Sequence, residues 1–258
     1  MCLLVFGYDA HSEYSLVFAG NRDEFYDRPT APADNWPEAP HVLGGRDLKA
    51  GGTWMGVTQA GHWGVVTNVR EPGEYRSDAR SRGTLVDAYL REEPSPRPYL
   101  ERVAAEADAY NGFNLLLGTP TELYYYSNRA SGIRAVSPGI YGLSNDRLDT
   151  PWPKVVRAKR RYQACLQRRD LSDEALLDLL NDREQAPADA LPDTGLGPER
   201  ERMLSSIFIE GERYGTRAST VLRIARDGTV SFAERTFEEG RPTETRRFSF
   251  QGHPESVS

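Results

Sequence analysis

The strongest constraint on how this chain can fold is a set of short runs that are apolar on successive residues. "CLLVFGY" and "YSLVFAGN", separated by Asp9, Ala10, His11, Ser12 and Glu13, read as a β-hairpin. "GGTWMGVT" and "HWGVVTNV" flank Gln59, Ala60 and Gly61 and read as a second hairpin with a short turn. A strand with one wet face alternates apolar and polar residues, and these runs do not. Both faces of their sheets must therefore be covered.

Between the hairpins, the proline-bearing stretch "RPTAPADNWPEAPH" reads as a polar loop. Two helices are expected from about Arg82 onward, "RGTLVDAYLR" and "RPYLERVAAEADAY", broken by Glu-Glu-Pro-Ser-Pro. Strands resume in "FNLLLGT", "ELYYYSN", "GIRAVS" and "GIYGLSN", and helices return in "WPKVVRAKRRYQACLQRR" and "SDEALLDLLND". A loop from Gln185 to Pro198 leads to three closing strands, "STVLRIAR", "VSFAERTF" and "TRRFSF", the first two joined by an Arg226-Asp227-Gly228 turn. Hairpins rather than regular βαβ alternation point to an α+β architecture. Two stacked sheets with helices outside, a four-layer αββα sandwich, would bury every strand on both faces. The expectation is one domain over residues 1–258.

No stretch approaches the roughly 20 apolar residues of a membrane span. The start of the chain lacks the basic and small-residue flanks of a secretory signal. Two cysteines, Cys2 and Cys165, make no disulfide framework and suit a reducing cytoplasm. Neither they nor His11, His41, His62 and His253 have zinc-ligand spacing, so no metal site is expected. A net charge of -6 argues against nucleic acid as a partner. A small-molecule substrate or a hydrophobic anion is expected instead, and the oligomeric state is left open. The positive charge is nearly all arginine, with lysine only at Lys49, Lys154 and Lys159. That fits either anion recognition by guanidinium forks or a compositional bias of the genome.

Chemistry concentrates at the start of the chain. Cysteine is small, so an initiator methionine ahead of it is normally removed, leaving Cys2 with a free α-amine. That amine titrates at about 7.7 to 8.0 and a free thiol at about 8.5. One residue can thus supply a nucleophile and its neighbouring base. The alternative is a buried cysteine acting as a small hydrophobe.

The second run ends in Asn21, Arg22, Asp23 and Glu24. Strand alternation puts Asn21 and Asp23 on one face, Arg22 and Glu24 on the other. In a hairpin these residues lie beside Cys2, where an aspartate or arginine could orient the amine or tune the thiol; a plain salt bridge at the strand end is the other reading. Asn68 and Asn145 also end apolar strands, where a side-chain amide can donate to a developing oxyanion or simply make a turn. Arg217, just ahead of a strand, could hold a carboxylate. Trp54 and Trp63 are expected in the core.

With these residues in view, the opening Met-Cys, "GNRDEF", "GGTWMGV", "VVTNVREP", "YGLSNDRLDTPWPKV" and "ERYGTRAST" resemble the NRDE family, also called the transport and Golgi organisation 2 family. The resemblance implies the N-terminal-nucleophile hydrolase fold. It is similar in motif order to penicillin V acylase and bile salt hydrolase. It implies Cys2 as nucleophile, Asp23 holding its amine, Asn68 as substrate contact or oxyanion donor, Asn145 as oxyanion donor and Arg217 as a further catalytic arginine. Asn21, Arg22 and Glu24 would contact substrate.

Those hydrolases read Gly-Arg-Asn-x-Asp where this chain reads Gly-Asn-Arg-Asp-Glu. In a plain alignment Asn21 takes the arginine position and Glu24 the aspartate position, and Arg22 turns to the other face unless a bulge intervenes. Two functions are expected from the resemblance. One is cofactor-free attack by Cys2 on a linear amide or thioester carbonyl of a hydrophobic or acyl substrate. The other is non-enzymatic binding and transfer of haem or an acyl lipid in the same cleft, with His41, His62 and Tyr141 as candidate haem contacts.

Overall fold

The strand β1 (Cys2–Tyr8) and the strand β2 (Tyr14–Phe25) form the first expected hairpin, with Cys2 opposite Arg22 and Tyr8 opposite Leu16. The computed structural model describes residues 2–168 and 171–252. Met1 and its removal, Arg169 and His253 lie outside the described residues, and the helix expected through Arg169 already stops at Leu166. Alternation along β1 sends Cys2, Leu4 and Phe6 to one side and Leu3 and Val5 to the other. Both sides are buried, as the unbroken apolar run requires.

The stretch from 28 to 41, expected as a loop, instead makes β3 (Thr30–Trp36) and the start of β4 (Ala39–Asp47). Pro32 is tolerated because β3 is an edge strand whose register breaks between Ala31 and Asp34, Pro29 and Pro37 lie outside the strands, and Pro40 precedes the part of β4 that pairs with its next neighbour. The second expected hairpin is β5 (Met55–Thr58) and β6 (Trp63–Asn68). Then come α1 (Gly83–Glu92), α2 (Pro96–Ala105), β7 (Phe113–Gly118), β8 (Leu123–Ser127), β9 (Arg134–Ala135) and β10 (Gly139–Leu143). They are followed by α3 (Pro153–Leu166) and α4 (Asp173–Leu180), the latter capped by Ser172 Oγ accepting from Ala175 N. The expected loop before the last strands gives way at its end to a short helix, α5 (Pro198–Met203). The chain closes with β11 (Tyr214–Ala225), β12 (Thr229–Glu238) and β13 (Arg241–Gln251).

The strands form two antiparallel sheets. One runs β10-β1-β2-β11-β12-β13 and the other β3-β4-β5-β6-β7-β8-β9. Phe6, Phe18, Leu43, Trp63, Leu116 and Phe232 fill the space between them. The outer face of the first sheet packs Leu3, Val5 and Val17 against Tyr162, Leu176 and Leu180 of α3 and α4. The outer face of the second packs Val66, Phe113 and Leu115 against Val86, Tyr89 and Leu100 of α1 and α2. This is the four-layer αββα sandwich, with apolar burial on both faces of both sheets supplying the main stabilisation. No helix among the described residues is long and apolar enough to cross a membrane.

Candidate active site

The site is built where the two sheets are tied together at the start of β1. Ser144 Oγ, just past β10, donates to Cys2 O at 3.0 Å, and Thr67 Oγ1 of β6 donates to Ser144 O at 3.0 Å. Arg70 N donates to Asn145 O at 2.7 Å. These bonds fix the ends of β1, β6 and β10 around a cleft of about 550 Å³ whose walls include Cys2, Arg22, Asp23, Glu24, Trp54 and Asn68.

Cys2 is 8% exposed. Burial first of all pushes its thiol above the ordinary value, the Asp23 carboxylate adds to the rise, and the chain's amino terminus, Arg22 and a hydrogen bond from the Asp23 backbone oppose it. The resting group is therefore a thiol, which must lose a proton to act as a nucleophile.

Arg22, directly across the ladder from Cys2, shares its inward face. The ladder between β1 and β2 is regular here, so the bulge that would restore the hydrolase pattern is absent from this pair. It lies instead in β11, where the register shifts between Thr216 and Ala218, around Arg217. Hence the plain alignment is corrected: Arg22 faces the cleft and Asn21 does not. Asn21 points to the helix side, its Nδ2 donating to Leu180 O and Ile207 O, both at 2.9 Å, and its Oδ1 accepting from Ser219 Oγ at 2.6 Å. It stitches layers together and is not positioned to contact substrate.

Asp23 lines the cleft, is buried, and accepts from Thr216 Oγ1 at 2.7 Å. Burial raises its carboxyl most, with Lys154, the amino terminus, Thr216 and Arg22 pulling it back. Glu24 lines the cleft near its mouth, 3.9 Å from Arg22 Nη2.

Asn145 does not line the cleft. Its Nδ2 donates to Asn68 O and Asn68 Oδ1, each at 3.0 Å, and its Oδ1 accepts from Ser144 Oγ at 3.2 Å. Its donors are thus committed, and Asn68 Oδ1 is held inward. Among the described residues Asn68 Nδ2 keeps only a long 3.4 Å contact to Val69 O, so it remains an amide donor available to the cleft.

Arg217 is displaced too. It lies within β11 rather than ahead of it, and its Nη1 donates to Phe25 O and Tyr26 O at 2.9 Å. It lines a neighbouring cavity of about 210 Å³ that shares Arg22 and Trp54 with the cleft.

Trp54, expected in the core, packs against it and also forms a cleft wall, with the Arg22 guanidinium 4.5 Å from its ring centre. Trp63 is core. Gly45 makes room for Trp54: a Cβ there would fall 2.2 Å from the indole. His41, His62 and Tyr141 do not line the cleft.

The cleft walls carry Arg22, Arg28, Lys49, Arg80 and Arg82 against Asp23, Glu24 and Asp47. Arg28 is matched to Asp47, at 2.8 Å. Arg22 is 5% exposed, and among the described residues it has no carboxylate closer than 3.9 Å and its Nη1 is buried without a hydrogen-bond partner. Such an arrangement favours an anion.

Sequence reasoning did not single out Arg70, Lys154 or Glu201 as site neighbours. Arg70 Nη1 meets Glu201 Oε2 at 2.7 Å with both side chains buried, and the Arg70 guanidinium stacks 4.5 Å from Trp152. Lys154 could have been noticed as one of three lysines in an arginine-rich chain, set in the first turn of an apolar-faced helix.

Comparison with known proteins places the chain in a family. A family profile described as Transport and Golgi organisation 2 matches residues 1–239. The human Transport and Golgi organization protein 2 homolog is 36% identical over 97% of this chain and 99% of its own length. Among solved structures, the chain is similar to a Caenorhabditis elegans N-acylethanolamine-hydrolyzing acid amidase ortholog. The TM-score is 0.48 at 11% identity, covering 86% of this chain and 92% of that one. It is also similar to a conjugated bile acid hydrolase from Clostridium perfringens, with a TM-score of 0.47 at 9% identity and full coverage of both chains.

Proposed function

The chain belongs to the transport and Golgi organisation 2 family, and on that premise we propose that it is a cytoplasmic N-terminal-nucleophile enzyme. Its Cys2 attacks the amide or thioester carbonyl of a hydrophobic acyl substrate that carries an anionic group. The observation that carries this reading is the ladder contact of Cys2 with Arg22 in a cleft that Asp23 and Asn68 also line.

With Met1 removed, the Cys2 α-amine takes the thiol proton as sulfur bonds to the carbonyl carbon. Asn68 Nδ2, left outward by the grip of Asn145 on Oδ1, donates to the oxygen as it gains charge. Collapse breaks the C–N or C–S bond, and the ammonium returns its proton to the departing amine or thiolate. Water, or an acceptor amine, then cleaves the thioester on Cys2 and restores the thiol. Arg22 Nη1 anchors the substrate's anionic group, and Trp54 holds Arg22 in place.

The test begins with intact mass, which should show Met1 removed. A panel of N-acyl amides and acyl thioesters should then leave an acyl adduct on Cys2 that is absent from Cys2→Ser and Cys2→Ala. Retention of Met1 in the native host, or no acylation across the panel, overturns the enzymatic reading.

A second reading is favoured by the surplus of cationic side chains in the cleft. The same cleft would bind and transfer a hydrophobic anion such as haem, whose carboxylates Arg22 would meet, without turnover. No histidine among the described residues lines the cleft, so if the cleft were to hold the iron, Cys2 or Tyr75 would have to do so. A saturable Soret shift that survives Cys2→Ala, in a protein that no substrate acylates, supports carriage without ligation by the cysteine.

A further inference from the structure

Lys154 is the second residue of α3, behind Pro153, and it is 2% exposed. Its Nζ is buried with no hydrogen-bond partner among the described residues. An ammonium in that setting costs several kcal/mol unless opposite charge faces it. A lysine is therefore an expensive choice for packing alone.

The charged groups facing Lys154 come from four segments: Asp23 on β2, Cys2 on β1, Arg70 after β6 and Glu201 on α5. Arg70 and Glu201 are bound to each other at 2.7 Å. Asp23 is then the counter-charge of Lys154, and its charge also acts on Cys2. α3 packs directly on β1 and β10, which holds Lys154 behind the strand that carries Cys2.

We propose that Lys154 is a positioning residue of the Cys2 site, whose buried positive charge beside Asp23 favours the neutral, proton-accepting form of the Cys2 α-amine and the anionic form of its sulfur. This rests on the nucleophile reading above and explains how an amine beside a carboxylate stays unprotonated near neutral pH. Asp23 alone would favour the ammonium, which cannot accept the thiol proton. Lys154 offsets that pull. Burial takes Lys154 itself down to about 8, against the opposing pull of Asp23, close to the ordinary range of an α-amine, so two groups that both face Asp23 would titrate as a coupled pair.

Two measurements on the full-length chain test this without requiring turnover. The first is the pH profile of Cys2 alkylation by iodoacetamide, mapped by mass, in the processed protein and in Lys154→Met and Lys154→Arg. The methionine variant should move the profile upward by about one pH unit, roughly a tenfold slower reaction at pH 7, and the arginine variant should restore it. Superimposable profiles for the wild type and Lys154→Met, or equal shifts in both variants, overturn the proposal.

The second needs no substitution. Because Lys49, Lys154 and Lys159 are the only lysines, isotope-labelled lysine resonances can be assigned and titrated in chains with and without Met1. Exposing the Cys2 amine should lower the Lys154 midpoint by at least half a pH unit, since coupling is reciprocal. An unmoved midpoint refutes it even where the variants do not fold. Failure of the substrate panel with these shifts present removes the enzymatic reading and leaves this one standing.

Discussion

The Arg22 guanidinium lies 4.5 Å from the centre of the Trp54 ring, and the pair forms a shared wall of the cleft and the smaller cavity beside it. A desolvated cation over an indole is worth about 0.5–2 kcal/mol. Trp54→Leu should lower stability by that order and weaken binding of anionic ligands in the cleft. Gly45→Ala should do the same indirectly, because the new Cβ would fall 2.2 Å from the indole and displace it. Urea denaturation and ligand titration check both, and wild-type behaviour in the two variants would remove Trp54 as the support of Arg22.

Asn145 acts on the site through Asn68. Its Nδ2 serves two acceptors of Asn68, so Asn145→Ala leaves two part-buried oxygens short of a donor and should cost about 1–3 kcal/mol. Asn145→Asp should cost more, because a carboxylate would face those same oxygens. Thermal unfolding of the two variants tests the order; a more stable aspartate variant contradicts the assigned amide orientation.

Glu234 gives the fold a pH-dependent weakness. It is buried, accepts from Ala33 N at 2.6 Å, and burial raises its carboxyl to about 7, against opposing effects from the Ala33 hydrogen bond and Arg22. Its folded value lies above the unfolded one of about 4.3. The folded state therefore binds the proton more tightly, and the stability this contributes is present at low pH and lost as pH rises toward 7. Glu234→Gln keeps the acceptor for Ala33 without the charge. It should gain on the wild type between about pH 4.5 and 7 and hold a constant lead above, on the order of 3 kcal/mol. Equal pH profiles by chemical denaturation would show that Glu234 ionises freely.

Arg70 and Glu201 form a buried pair, their side chains 4% and 3% exposed. Glu201→Gln strands the guanidinium and should cost about 3–5 kcal/mol. Replacing both, as Arg70→Met with Glu201→Leu, should recover most of that loss, measured by unfolding free energy. A double variant no better than the single would mean that Thr194, whose N donates to Glu201 at 3.0 Å, matters more than the ion pair.

Much of this was readable from local pattern. The apolar runs required sheets covered on both sides, and both hairpins formed where their turn residues stood. The pairing of Cys2 with the polar quartet followed from the length of the first turn. The stretch from 28 to 41 was misread because proline and polar residues mark loops and edge strands alike.

The sequence alone determined that the chain would layer two sheets under helices and set a cysteine beside Arg22 and Asp23, because hydrophobic periodicity and short turns act between near neighbours. Tertiary structure alone decided which of those polar groups enter the cleft. Asn21 turned outward to the carbonyls of Leu180 and Ile207, Arg217 went to the neighbouring cavity at a bulge in β11, and Asn145 slipped behind Asn68. It also brought Lys154 beneath Cys2 by packing α3 on β1, across about 150 residues of chain. Strand register and helix docking depend on partners far away in sequence, and no local pattern encodes them.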